Sequence, residues 1–194
     1  MRSSQYDGAE SHPAIIDKKM WKAVQFEIER RRTLAEKYKI VKLDYATVDN
    51  PFAGRIICGC CGSTFGRKVW NSTDDRLRRV VWRCNKKYTV KGEKSCESKH
   101  IDDRVLYKAF VEVFNTMVKN KEYFMDKWKD GLQSENILVV YKAREFIKMI
   151  SDAELIKEFD IDIYFKIIEK TIVFEGNRLI VTLLDGTEIE CEIR

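Results

Sequence analysis

The chain of 194 residues holds two histidines, two prolines and no long apolar run. Its longest apolar stretches, Ile137–Val140 and Leu179–Leu184, fall far short of the roughly 20 residues that cross a bilayer. The opening segment MRSSQYDGAESHPA lacks the apolar centre of a signal peptide. Internal repeats and low-complexity tracts are missing as well, which excludes solenoid and linker architectures. These absences lead to the expectation of a cytoplasmic chain with no membrane partner. They also exclude thiol catalysis, because His12 sits in the terminal tail and no histidine pairs plausibly with the cysteines.

What the chain does contain is unevenly placed. A hydrophobic content of 44% supports a buried core, and 35% charged residues suit a chain in water. The net charge of +5 divides sharply along the sequence. Residues 1–57 carry +3, residues 58–101 carry +7, and residues 102–194 carry −5. The basic middle segment also holds five of the six cysteines. Such asymmetry fits a polyanion-binding module beside a structural or protein-contacting part.

Local patterns predict an α+β fold. A helix is expected over Ile16–Lys39, with Asp17 as N-cap and Ile16 and Trp21 as a hydrophobic staple. Met20, Trp21, Val24 and Ile28 form its apolar face. The segments TFGRKVW and RLRRVVWRC flank the polar loop Asn71–Asp75 and predict a β-hairpin over residues 64–84. Alternation puts Arg79 and Arg83 on one face of its second strand, and Arg78, Val80 and Trp82 on the other. Further helices are predicted over Ile101–Lys119 and Glu135–Ile150, another from the capping-box signature Ser151–Glu154, and a short one around Asp162–Lys170. The segments TIVFE, RLIVTLL and TEIECEI follow, joined at Gly176-Asn177 and Asp185-Gly186, and predict an antiparallel three-stranded meander.

The stretch IICGCCGSTF places Cys58, Cys60 and Cys61 within four positions. In a reducing compartment such a cluster favours metal over disulfides. Cys58 and Cys61 have the C-x2-C spacing that presents two thiolates to one ion, and Gly59 and Gly62 suit the turn because glycine accepts positive φ. Cys84 ends the second hairpin strand, and Cys96 follows after a loop able to fold back. The expected ligands of a structural Zn²⁺ are therefore Cys58, Cys61, Cys84 and Cys96, with His100 an alternative to Cys96. Cys60 reads as a bystander, since adjacent side chains diverge, and Cys191 as a small buried hydrophobe. An iron site of the two-knuckle kind would show a second C-x2-C. Four cysteine ligands leave no position for a reactive water, which argues against a metallohydrolase.

Residues 55–100 hold few large apolar residues, so metal binding would supply folding energy on the order of 10 kcal/mol. The hairpin would then display Arg67, Lys68, Arg76, Arg78, Arg79, Arg83, Lys86 and Lys87 as phosphate-binding candidates. Trp70, Trp82 and Tyr88 lie among them and read as hairpin packing.

At this point a family resemblance appears. SHPAIIDKKMWKAVQ (Ser11–Gln25), NPFAGRIICGCCGSTF (Asn50–Phe65), Trp82-Arg83-Cys84, Cys96 and the closing IIEKTIVFEGNRLIVTLLDGTEI, in that order, resemble the C-terminal part of large serine recombinases. These enzymes integrate or excise phages and conjugative transposons. The resemblance implies the end of a recombinase domain over 1–49, a zinc β-ribbon over 50–100, and helices with the meander completing that domain over 101–194. It implies binding of double-stranded attachment-site DNA beside other recombinase subunits, inside a bacterial cell, with no small-molecule substrate. The family's catalytic domain precedes such a segment and has no counterpart here, so no catalytic residue is expected and the chain should bind DNA without cutting it. The family's long coiled coil is also missing, because KNKEYFMDKWKDGLQS is short and lacks sustained heptads. A different class remains open: a zinc-stabilised protein-interaction module that uses the acidic C-terminal helices.

Overall fold

A computed structural model describes residues 15–40, 47, 49–89 and 95–192. Parts of two predicted connectors, residues 41–46 with 48 and residues 90–94, lie outside the described residues, as does the N-terminal tail with His12.

Helix α1 spans Lys18–Tyr38, and the Asp17 carboxylate accepts the amides of Lys19 and Met20 at 2.9 and 3.1 Å. The N-cap is therefore where the sequence placed it. The apolar face is not. Trp21 is 55% exposed, and Met20, Val24 and Ile28 are exposed too. The helix turns an adjacent seam inward, with Ala23 buried and Glu27, Arg30 and Leu34 half-buried. Glu27 pairs with Arg30 (2.9 Å) and with Lys142 (3.7 Å), and Arg30 also pairs with Glu169. Ion pairs thus line the inward seam, which explains why hydrophobic spacing misjudged the buried side of the helix. Staple and apolar stripe alike face water.

The rest of the chain builds one contiguous core from two sheets and four helices. Strand β1 (Ile56–Cys58) leads to β2 (Phe65–Trp70) and β3 (Arg79–Cys84), the expected hairpin, with Phe65 opposite Cys84 and Trp70 opposite Arg79. A two-residue strand β4 (Ile101–Asp102) adds antiparallel to β3. Helix α2 therefore starts at Asp103 rather than Ile101 and runs to Lys119, capped by Asp102 on the Arg104 amide at 3.1 Å. It buries Leu106, Ala109, Phe110, Val113, Phe114 and Met117, a stripe at the helical period.

Helix α3 (Lys121–Gly131) occupies a stretch for which no element was predicted. It buries Phe124 and Trp128 one turn apart, and the Trp128 indole donates to Asp185 at 2.8 Å. Helix α4 (Ile137–Ser151) is capped by Asn136. The helix expected from Ser151–Glu154 does not form. Ser151 closes α4 instead, its hydroxyl donating to the Ile147 carbonyl at 2.6 Å. The chain then runs without regular structure, pinned by Asn115, which exchanges two side-chain hydrogen bonds with Ile156 at 2.8 and 2.9 Å. Asp160 caps the next helix, α5 (Ile161–Ile167).

Strands β5 (Ile168–Val173), β6 (Arg178–Leu183) and β7 (Glu188–Glu192) form the expected antiparallel meander. The sheet has a fourth member. Strand β1 pairs parallel to β5, giving the order β1-β5-β6-β7. That pairing fuses the cysteine-rich segment to the C-terminal sheet, and Phe52, Ile56, Phe65, Trp82, Leu106, Tyr164 and Leu179 share one buried cluster. Each large apolar side chain so enclosed contributes about 2 kcal/mol. Segments 50–100 and 101–194 thus share a hydrophobic core. No described helix is long and apolar enough to cross a membrane.

Candidate metal centre and nucleic-acid interface

The Cys58–Cys61 turn hangs from the end of β1. The Cys58 amide donates to the Ser63 carbonyl and the Gly62 amide donates to the Cys58 carbonyl, both at 2.8 Å. Gly62 has φ +69° and so needs the freedom of glycine. Gly59 serves a different purpose from the one the sequence suggested. It lacks a positive φ, but a Cβ there would lie 2.5 Å from the Phe174 ring and 2.9 Å from the Val173 carbonyl oxygen. Its amide donates to that same carbonyl at 2.8 Å. Gly59 is small so that the turn can sit against the end of β5.

Cys84 ends β3, and Cys96 returns after the loop, steadied by the Ser95 amide on the Lys87 carbonyl at 3.0 Å and by the Lys87 ammonium on the Ser98 carbonyl. The Sγ atoms of Cys58, Cys61, Cys84 and Cys96 all lie within 4.8 Å of one another. Cys58 and Cys96 sulfurs are 3.7 Å apart, and Cys61 and Cys84 sulfurs 3.4 Å. These distances exceed a disulfide bond of about 2.05 Å. They approach the edge of a tetrahedron with 2.3 Å Zn–S bonds, about 3.8 Å. Cys58, Cys84 and Cys96 are buried and Cys61 half-buried. The donor set fits a closed, structural Zn²⁺ site.

Burial pushes the Cys84 thiol up, assisted by its contact with Cys61. Burial also works against ionisation of Cys96, but hydrogen bonds from the Ser98 hydroxyl and amide outweigh it and hold that thiol down to about 6. The Cys96 sulfur lies 3.3 Å from the Ser98 oxygen, the kind of outer contact that orients a ligand. Cys60 is exposed and outside the group, and Cys191 is buried in the core. His100 also stands outside it, with its ring 4.3 Å from that of Trp70.

The eight basic candidates are dispersed by the fold. Lys68, Arg79 and Arg83 share one face of the hairpin, through the pairs Lys68–Val81, Trp70–Arg79 and Gly66–Arg83. Arg67 lies on the other face, opposite Trp82, which is buried and turned to the core. Arg76 and Arg78 are in the connecting turn and pair with Asp74 (3.2 Å) and Asp75 (3.8 Å). Lys86 and Lys87 follow β3 beside the cysteine site, and the Lys87 ammonium is held by Ser98. Two aromatic contacts escaped the sequence reading: the Arg79 guanidinium lies 4.9 Å from the Trp70 ring centre, and that of Arg83 lies 5.0 Å from Tyr88. Alternation along the strands was the signal that could have found the first.

Comparison with known proteins bears on the same segment. Residues 51–115 match the family described as recombinase zinc beta ribbon domain, so the resemblance read from the sequence holds over that part of the chain. The matched segment runs from the connector through the cysteine site and hairpin into α2. No curated protein matches the chain significantly. Among solved structures, one described as "Crystal Structure of a LSR-DNA Complex" aligns at 15% identity and a TM-score of 0.38, covering 90% of this chain and 67% of the other.

Proposed function

We propose that the chain is the DNA-binding module of a site-specific serine recombinase, holding attachment-site DNA through a zinc-stabilised basic hairpin while strand cleavage resides in another domain. The observation that carries this reading is a four-cysteine group, with its sulfurs all within 4.8 Å of one another, inside the segment that matches the recombinase zinc beta ribbon family. Cys58, Cys61, Cys84 and Cys96 hold the ion, whose task is to fix the β2–β3 hairpin on the core. Lys68, Arg79 and Arg83 share one face of the hairpin and contact the duplex, and Arg76, Arg78 and Lys86 neutralise phosphates beside them; Arg67, on the opposite face, and Lys87, whose ammonium is held by Ser98, contribute less. Other recombinase subunits are the expected protein partners.

Fluorescence anisotropy on a labelled duplex, with zinc-loaded and chelator-stripped protein, tests the reading. Binding that needs zinc and weakens steeply as salt rises is the expected result. Absent or salt-insensitive DNA binding alongside tight self-association would overturn it in favour of a protein-interaction module.

A further inference from the structure

The strand register divides the hairpin into two faces. Phe65, Trp82 and Cys84 lie on the inner face and are buried. The outer face carries Trp70 with Arg79, Lys68 with Val81, and Gly66 with Arg83. Strand β4 places Asp102 beside Val81, so His100, two residues earlier, falls on the outer face too. Trp70 and His100 come from opposite sides of β3, and their rings meet at 4.3 Å with an interplanar angle of 54°. Their contact therefore crosses the middle strand, where Val81 is fully buried although its face is the outer one.

Two guanidiniums rest on this aromatic surface. Arg79 lies over Trp70 and Arg83 over Tyr88, at 4.9 and 5.0 Å. Among the described residues neither forms a salt bridge, in contrast to Arg76 and Arg78 in the turn. A guanidinium held over an aromatic ring has already lost part of the rotamer freedom that an arginine otherwise gives up on binding, and N–H groups turned away from the ring remain open to a ligand. An arginine so held can offer its planar fork to guanine O6 and N7 in the major groove.

We propose that Trp70 and Tyr88 are positioning residues for base recognition. They hold the Arg79 and Arg83 guanidiniums edge-outward to read two guanines, with His100 bracing Trp70. The inference rests on the DNA-binding reading above. Four residues along a strand span about 13 Å, so the two guanines should stand about four base-pair steps apart at 3.4 Å each.

Selection from a randomised duplex pool by the zinc-loaded chain, repeated with Trp70→Leu, Tyr88→Leu, Arg79→Lys and Arg83→Lys, tests this. The wild type should enrich two guanines at that spacing. Trp70→Leu and Arg79→Lys should lose preference at one of them, and Tyr88→Leu and Arg83→Lys at the other, each by about tenfold. Affinity for unselected duplex should stay within about twofold for the two aromatic variants, since phosphate contacts persist. Wild-type consensus retained in both aromatic variants would overturn the positioning role. Should either aromatic variant lose its metal, the Arg→Lys variants decide, because they keep charge and fold but not the planar fork; an unchanged consensus in them overturns the proposal. If the wild type binds no duplex at all, the DNA-binding reading itself fails. If it binds without enriching any sequence, only the present inference fails.

Discussion

Cys58 and Val173 are partners in a parallel strand pair, so the first cysteine of the knuckle is fixed by a strand from the far end of the chain. The Gly59 amide extends the contact by donating to the Val173 carbonyl. Half of the cysteine site therefore has backbone anchorage on the C-terminal sheet in addition to any metal. The other half, Cys84 and Cys96, depends on the hairpin and its return loop.

From this asymmetry comes a partial, not global, response to metal removal. Chelation should raise amide hydrogen exchange across residues 62–89 and 95–100, while α2 and β5–β7, which fill the common core, keep their protection. Cys58→Ser, Cys61→Ser, Cys84→Ser and Cys96→Ser should each lose the stoichiometric zinc seen by elemental analysis, whereas Cys60→Ser and His100→Ala retain it. Zinc retained in any of the four, or collapse of the whole exchange pattern on chelation, contradicts this division.

The close approach at Gly59 gives a sharper stability prediction. Gly59→Ala brings a methyl group to 2.5 Å from the Phe174 ring, and overpacking of this kind costs about 1–3 kcal/mol. Trimming the ring with Phe174→Leu should recover part of the loss, so that the double variant is more stable than the sum of the single effects. Urea midpoints at constant m-value measure it. Strict additivity would show that the contact is not the reason for the glycine. Gly62→Ala has open space around it but a positive φ, and should cost about 1 kcal/mol without any rescue from Phe174→Leu.

Acid should release α1 first. Burial alone would raise the Glu27 carboxyl, but the guanidiniums of Arg30 and Arg31 outweigh it, with Lys142 adding to them, and hold it down to about 2. Because its folded value lies below the ordinary one of 4.5, its contribution is complete above about pH 5 and fades as pH falls toward 2. After allowance for solvent screening, that contribution is about 1 kcal/mol. Protease cleavage within α1 should therefore accelerate between pH 5 and pH 3 in the wild type. Glu27→Gln should show the fast cleavage already at pH 7 and little further change; a wild-type pH profile in that variant would refute the ionic tether.

The cysteine group and the hairpin were legible because both are local. The C-x2-C spacing, alternating β residues and turn formers each act over a few positions, and Cys58, Cys61, Cys84 and Cys96 converge as the spacing implied. The parallel pairing of β1 was not legible, since a three-residue strand carries no period and its partner lies at the other end of the sequence. For α1 the hydrophobic pattern gave the wrong inward face, because the ion pairs of Glu27 and Arg30 fix the helix. Ser151 illustrates a third kind of failure. A capping signature is only an option for the side chain, and here the hydroxyl bonds backward into α4.

On the proposed reading, the turn of the hairpin would carry its own restraint on DNA binding. The Asp74 carboxylate accepts from the Arg76 amide at 3.1 Å and from its guanidinium at 3.2 Å, which holds this carboxyl below its usual range. Asp75 lies 3.8 Å from Arg78. Both pairs are exposed, so they are weak and easily exchanged for phosphate, yet the carboxylates still repel a duplex brought near the tip. Replacing them by Asp74→Asn and Asp75→Asn removes two negative charges and frees two guanidiniums. On the proposed reading, affinity for any duplex should rise several-fold at low salt, and the slope of log K against log salt should steepen by about one to two units, one per added phosphate contact. Sequence preference should not change, because phosphate contacts carry none. An unchanged slope would mean that the tip stays clear of the backbone and that contact is confined to the face holding Arg79 and Arg83.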